Sequence, residues 1–534
     1  MSMFKTGHVD NFTRENLPPR DQWPWLNQNF IDANYDDRLN ASYELIDKTI
    51  ELVGADKLAI IAADGNYTYG ELLAKISQMA NYFESIGVKP GNRILLRGPN
   101  SASLVILWLA ILRVGAVAVT TIHLQRANEL EKMLGVAHVQ FALIDHRFTE
   151  DWNLVSNFTG QTLIYGGEND VFSKAAKFPT VHTACDTASD DVSILAFTSG
   201  STGIPKATIH FHRDILAIAD TFSKEILKPL KEDIFACSAP LAFTFGLGAS
   251  VVFPFRVGAT TLLLEGAPPP VLIEKVRENK VSVLFTAPTA YRAIMKSTPK
   301  LDLPSLRRCV SAGEHLPEST WTSWFEATGL KIIDGIGATE MLHIFISASD
   351  DAIVPGMTGK VVPGYEAIIV NEDFDELPTG EVGFLAVRGP TGVRYLNDVR
   401  QNVYSVNGWN VTGDLYLKDA HGYFKYQSRA DDMIISSGYN IAAPEVENAL
   451  LAHNAVAEVA VVGEADEERG MLVVAYIVLQ ADVAESAELI KELQDHVKQK
   501  IAPFKYPRRI VFVKSLPKTT TGKLQRFRLK GENK

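Results

Sequence analysis

Leu195-Ala-Phe-Thr-Ser-Gly-Ser-Thr-Gly-Ile-Pro-Lys206 is an apolar run that breaks into hydroxyls and glycines and closes on a lysine. The apolar part reads as a short buried strand, and the remainder as a loop made to grip a polyphosphate. Small residues let backbone N–H groups approach phosphate oxygens, the Ser and Thr hydroxyls add donors, and Lys206 adds a mobile positive charge. A Walker loop needs four residues between its last two glycines and a lysine directly after the second. Here Gly200 and Gly203 are three apart and Ile-Pro precedes Lys206, so this is not a P-loop NTPase. A merely flexible polar loop is the competing reading.

Outward from this loop, the chain alternates. Between about residues 45 and 180, helix-period segments such as 69–83 alternate with strand-like runs such as Arg93-Ile-Leu-Leu-Arg97. The alternation resumes from 191 to 340, with strand candidates at 234–238, 282–286 and 306–311 and a helix at 271–279. Two wound α/β sheets in tandem are the economical reading. From 355 to 428 short strands with dense Gly/Pro turns indicate a small β-rich subdomain. The remainder, 432–534, reads as a separate α+β lid, with helices at 444–453 and 485–500 and strands at 456–462, 472–479 and 509–513.

Composition sets the class. The 534 residues suffice for several cores, and 46% hydrophobic with 22% charged residues is ordinary for a soluble enzyme. Three cysteines, Cys185, Cys237 and Cys309, have no pair spacing, which excludes a disulfide framework or Cys-rich metal site and fits a reducing compartment. The polar N-terminus lacks the apolar core of a signal peptide, and the longest apolar run, 104–112, is half a membrane span; the expectation is a cytoplasmic protein with no membrane partner. A net charge of −11 argues against nucleic-acid binding. The tail is the exception: Lys/Arg stand at 505, 508, 509, 514, 518, 523, 526, 528, 530 and 534 against the single acid Glu532.

Four further strings carry chemistry. Asp334-Gly-Ile-Gly-Ala-Thr-Glu340 follows the strand-like 331–333, so a hydroxyl and a carboxylate stand at a strand's end, where nucleotides bind in open α/β sheets. Thr412-Gly-Asp414 offers a carboxylate for ribose hydroxyls, Ser428-Arg-Ala-Asp-Asp-Met-Ile434 lies where composition changes, and Pro517-Lys-Thr-Thr-Thr-Gly-Lys523 is a second Thr/Gly/Lys loop. Singly these are common turns or surface ion pairs. In this order and spacing, with the opening loop, they resemble the adenylate-forming superfamily of acyl-CoA synthetases, adenylation domains and firefly luciferase, over nearly the whole chain.

The resemblance implies a large N-terminal domain (1–430), a hinge at Asp431 and a C-terminal domain (432–534) that rotates between two half-reactions. A carboxylate attacks the α-phosphate of Mg-ATP, and the thiol of coenzyme A then displaces AMP. It implies Lys523, Thr339 and Glu340 as catalytic, with Glu340 on Mg²⁺. ATP binding falls to Thr198, Ser199, Gly200, Ser201, Thr202, Gly203, Lys206, Gly313, Glu314, Asp334, Gly335, Ile336, Asp414 and Arg429. Gly438 would lie beside the pantetheine tunnel. Many members carry a Tyr that stacks on adenine where this chain has Ile336, an aliphatic contact instead.

Asp-Gly-Ile-Gly-Ala-Thr-Glu-Met-Leu-His-Ile-Phe345 looks most like the benzoate-CoA ligase branch, and His8-Val-Asp-Asn-Phe with Asn16-Leu-Pro-Pro-Arg20 is similar to 2-aminobenzoate CoA ligases. The matching aryl pocket is Thr244, Phe245, Ala312, Gly337, His343 and Ile344. Small residues at 312 and 337 would leave a flat slot for a ring, with Phe245 at its edge and His343 near the carboxylate or an ortho substituent. The plain alternative makes Phe245 and Ile344 core residues and His343 a satisfied buried histidine. An amino-acid adenylation domain would place an Asp in 241–245 to pair an α-amine; Leu241-Ala-Phe-Thr-Phe245 has none. A carrier-protein acceptor, a fatty-acid substrate, a catalytically silent nucleotide sensor and a homodimer stay open.

Overall fold

The computed structural model describes residues 3–26, 35–198, 205–298, 301–436, 439–466, 469–501, 503–518 and 524–529. Four sheets organise them. The first has six strands in the order Gln161–Tyr165, Phe141–Asp145, Arg93–Arg97, Val117–Thr121, Val192–Thr198 and Lys206–Phe211. The first five run parallel, and the last turns back antiparallel on its neighbour, pairing Thr198 with Lys206. Its central strands are buried along their whole length, as parallel strands covered on both faces must be.

The second sheet has nine strands: Lys360–Val361, Ile344–Ser347, Ile332–Gly337, Arg308–Ser311, Val283–Thr286, Ile234–Cys237, Thr260–Leu262, Leu58–Ile61 and Tyr67–Thr68. Six inner strands are parallel, and antiparallel strands close both edges. The tandem arrangement is therefore corrected. Leu58–Ile61 pairs with Thr260–Leu262 in the second sheet, whereas Val192–Phe211 completes the first, so the sheets interleave along the chain.

Helices pack between and around the sheets. Tyr69–Ser85 starts at a capping box in which the Thr68 side chain accepts from the Glu71 N–H and the Glu71 carboxylate accepts from the Thr68 N–H. Ala102–Arg113, the half-span apolar run, is capped by Ser101 and buried everywhere but Ser103. Among the described residues no helix is long and apolar enough to cross a membrane.

The β-rich section is a five-stranded antiparallel sheet of Glu366–Val370, Val382–Arg388, Trp409–Lys418, Ser405–Val406 and Phe424–Arg429. The last sheet joins Tyr439–Ala442, Met433–Ser436, Gly470–Leu479, Val456–Asp466 and Arg509–Phe512, with the helices Ala443–Leu451 and Ala487–Lys500 on a core of its own. Polar ties reach from it to the larger body: Asn448 Nδ2 lies 3.1 Å from His315 Nε2, and Lys296 Nζ donates to Gln480 Oε1 at 3.0 Å.

Candidate active site

The ends of two sheets meet where the opening loop begins. Val192–Thr198 ends at Thr198, Ile332–Gly337 ends at Gly337, and the single turn Thr339–Met341 packs against the first sheet's final hairpin. His210, on that hairpin, fixes the turn: its Nε2 lies 2.8 Å from the Thr339 carbonyl. Burial lowers the His210 pKa to about 4, so the ring is neutral and Nε2 donates.

Lys206 is buried, and its Nζ donates to the Tyr395 hydroxyl at 2.9 Å. Tyr395 donates in turn to Glu340 Oε1 at 2.5 Å, while Lys206 Nζ and Glu340 Oε1 stand 3.7 Å apart. The ammonium also sits 3.7 Å above the Tyr404 ring, a cation–π contact. Burial, then the Glu340 charge, raises the Tyr395 pKa, so the phenol keeps its proton. Thr198 Oγ1 is enclosed without a hydrogen-bond partner, and no hydrogen bond occupies Glu340 Oε2 among the described residues. A buried hydroxyl without a partner costs about 1–3 kcal/mol, which an arriving polar ligand relieves.

Asp414 lies directly opposite Arg429 across paired strands, and Arg429 Nη1 donates to Asp414 Oδ1 at 3.1 Å. Thr412-Gly-Asp414 is not a turn between elements, as such a string ordinarily is, but a bulge inside Trp409–Lys418: the register opposite Phe384 and Ala386 slips across it, with Gly413 at φ +75°. Asp334 lies on Ile332–Gly337 with Oδ1 enclosed and unpartnered, and burial pushes its carboxyl well above the usual carboxylate range. Ile336 packs on the main core. Gly313 has φ +85° and faces open space, and Glu314 beside it acts on the half-buried Arg292.

His343 occupies an aromatic cage. Ring centroids of Phe253, Phe222, Phe245 and Phe285 lie 4.6, 5.4, 5.7 and 6.5 Å from its own. Two π-helical segments, Ala219–Leu227 and Gly248–Val252, bring Phe222 and Gly248 to it. Phe245 is in the first turn of Thr244–Leu247, and Ala312 follows the strand Arg308–Ser311. His343 is only 2% exposed; among the described residues neither ring nitrogen is in a hydrogen bond of ordinary geometry, and the Phe245 carbonyl offers it only an imperfect acceptor. Burial lowers its pKa to about 3 and keeps the ring neutral. Ile344 is core, and Gly337 is small for a backbone reason: a Cβ there would stand 2.8 Å from the His343 carbonyl carbon.

Sequence reasoning missed Tyr395, Tyr404 and His210; of these, only the placement of His210 four residues after Lys206 on one strand was there to be read. Ser199, Gly200, Ser201, Thr202, Gly203, Gly438 and Lys523 lie outside the described residues, as does the Asp431 side chain, although its backbone is in the turn Ala430–Asp432. Near Lys523, Lys518 bridges Leu524, and Arg526 is held by Glu447 at 2.8 Å and Asp432 at 3.6 Å. A surface cleft of about 820 Å³ lined by Lys48, Asp220, Lys224 and Arg256 holds none of these residues.

The chain is similar to known proteins over nearly its whole length. It is 35% identical over 506 residues to a benzoate–CoA ligase of Thauera aromatica, covering 92% of this chain and 96% of that one. The solved structure of the anthranilate CoA ligase AuaEII in complex with anthranoyl-AMP superposes with a TM-score of 0.89 at 34% identity, over 94% of this chain and 98% of that one. A benzoate CoA ligase from Burkholderia xenovorans LB400 gives 0.85 at 33% identity, over 92% and 100%. Residues 48–395 match the AMP-binding enzyme family and residues 445–523 its C-terminal domain. The chain belongs to the AMP-binding enzyme family.

Proposed function

We propose that the protein is an AMP-forming aryl-CoA ligase: an aromatic carboxylate and ATP give aryl-AMP and pyrophosphate, and coenzyme A then gives aryl-CoA and AMP. The observation that carries the aryl reading is the neutral imidazole of His343, with at most an imperfect bond to the Phe245 carbonyl, inside a cage of four phenylalanines, three residues beyond Glu340. An apolar wall with one incompletely satisfied imidazole favours a flat ring bearing a single hydrogen-bonding group. A neutral imidazole offers one acceptor nitrogen, and the amine of 2-aminobenzoate is a neutral donor that needs no carboxylate partner. The likeness to an anthranilate CoA ligase supports the same acid.

In this reading Thr198 and Lys206, with the loop 199–203, hold the β- and γ-phosphates, and the Asp414–Arg429 pair fixes the ribose. Asp334, Gly335, Ile336, Gly313 and Glu314 surround the base. Mg²⁺ fits Glu340, whose second carboxylate oxygen is unengaged among the described residues; when bound it would neutralise phosphate charge, and this ion is characteristically held by one or two carboxylates plus substrate phosphates. Lys523 is assigned to the carboxylate and α-phosphate, Gly438 to the pantetheine path, and Asp431 to the pivot between 1–430 and 432–534. A cytoplasmic location accords with three unpaired thiols.

Pyrophosphate release measured with 2-aminobenzoate, benzoate, hydroxybenzoates, phenylacetate and medium-chain acids tests the reading. The expected order places 2-aminobenzoate and benzoate first, with thioester formed only when CoA is added. A medium-chain acid as best substrate overturns the aryl assignment, and no release with any acid leaves a nucleotide sensor.

A further inference from the structure

Lys206 and Glu340 carry opposite charges in a largely buried place, yet their nearest atoms are 3.7 Å apart. Free to move, such a pair closes to a charge-assisted contact of about 2.8 Å. The Tyr395 hydroxyl stands between them, accepting from Nζ at 2.9 Å and donating to Oε1 at 2.5 Å.

The phenol is held by its backbone as well as by its ring. The Tyr395 N–H donates to Gln401 Oε1 at 2.9 Å. The segment runs beside the Lys206–Phe211 strand, with Ile209 N–H donating to the Arg394 carbonyl at 2.7 Å and Leu396 N–H to the Ala207 carbonyl at 2.9 Å. Arg394 is fully buried against Asp214, and the Tyr395 ring packs edge-on to Tyr404 with centroids 5.5 Å apart. The same strand that carries Lys206 therefore sets the distance between its ammonium and the spacer.

The chemical result concerns donors and acceptors. An ammonium has three N–H groups; one goes to the phenol, and among the described residues no hydrogen bond takes the others, although the Tyr404 ring lies 3.7 Å from Nζ. Glu340 spends Oε1 on the phenol and keeps Oε2 for a cation. A direct Lys206–Glu340 pair would cancel the charge of each at the place where both are required. We propose that Tyr395 is a positioning residue, a neutral spacer that keeps Lys206 available to phosphate and Glu340 available to a divalent cation. This rests on the adenylation reading above.

Tyr395→Phe removes the hydroxyl and keeps the ring. Hydrogen bonds to charged groups contribute about 1.5–3 kcal/mol, so calorimetric affinity for MgATP, measured without acid, is expected to fall by about 10- to 100-fold. The Mg²⁺ concentration for half-maximal pyrophosphate release should rise, while CoA reaction with supplied aryl-adenylate is unchanged. In a Glu340→Gln background the lysine has no carboxylate to collapse onto, so Tyr395→Phe should weaken ATP binding far less than it does alone. Unchanged MgATP affinity, equal loss in both half-reactions, or additive effects of the two substitutions would overturn the spacer role. Failure of the adenylation reading is separate, because the unsubstituted protein would then release no pyrophosphate with any acid.

Discussion

His343 owes its ring position to a residue without a side chain. A Cβ on Gly248 would stand 2.5 Å from Cδ2 and 2.7 Å from Nε2 of that imidazole. Gly248→Ala should therefore push the ring toward the space assigned to the aromatic acid, at an overpacking cost of about 1–3 kcal/mol. The expected outcome is a raised KM for 2-aminobenzoate with the KM for MgATP unchanged, read from initial rates; equal changes in both would remove Gly248 from the acyl side. Residues whose chemistry is local stand out in the chain: Lys206 after a Ser/Thr/Gly run, Glu340 in a polar string just past a strand's end, and Asp414 in a Thr-Gly-Asp string that the fold makes a bulge within a strand. Tyr395 was not, because Val393-Arg-Tyr-Leu396 reads as core, and only the fold brings a phenol from there to a lysine 189 positions away.

At the scale of elements, the bulge in Trp409–Lys418 decides where Asp414 points. Gly413 has φ +75°, and a Cβ there would lie 3.0 Å from Nη2 of Arg429, whose Nη1 braces Asp414. Gly413→Ala thus strains the backbone and crowds the guanidinium together, a destabilisation of about 1–2 kcal/mol. The urea midpoint should drop and the KM for ATP should rise, with the KM for the acid held; a lowered midpoint with unchanged ATP kinetics would mean that the bulge does not aim Asp414. Element types were legible here, since the pattern expects strands at 472–479 and 234–238 and the structure has them at Gly470–Leu479 and Ile234–Cys237. Partners were not. Periodicity reports which face is buried and says nothing of the neighbour across the ladder, which is why 45–180 reads as one sheet although Leu58–Ile61 belongs to the other.

Across the whole molecule, the buried His210, His212 and His343 and the half-buried His315 couple stability to acid. Burial lowers His210 and His315 to about 4 and His212 and His343 to about 3. Unfolded, such rings titrate near pH 6.5. The unfolded chain then binds more protons than the native one between about pH 6.5 and 4, so stability is complete above that window and is lost as pH falls through it. Each ring contributes a slope of about 1.4 kcal/mol per pH unit where the two states differ by a full proton. His212 gives a clean test, because its Nδ1 accepts the Ala41 N–H at 3.1 Å. His212→Asn keeps that acceptor and removes the titration, so urea midpoints from pH 7.5 to 4.5 should fall less steeply than in the unsubstituted protein; an identical slope would exclude His212 from the acid response.

The pairing of Leu58–Ile61 with Thr260–Leu262 also bears on synthesis. A ribosome delivers the earlier strand some two hundred residues before the later one. Through that interval an apolar edge has no ladder to join, the condition under which strands recruit foreign chains. Fragments that stop short of residue 260 should accordingly aggregate, although the first sheet's six strands, ending at Phe211, would all be present in them.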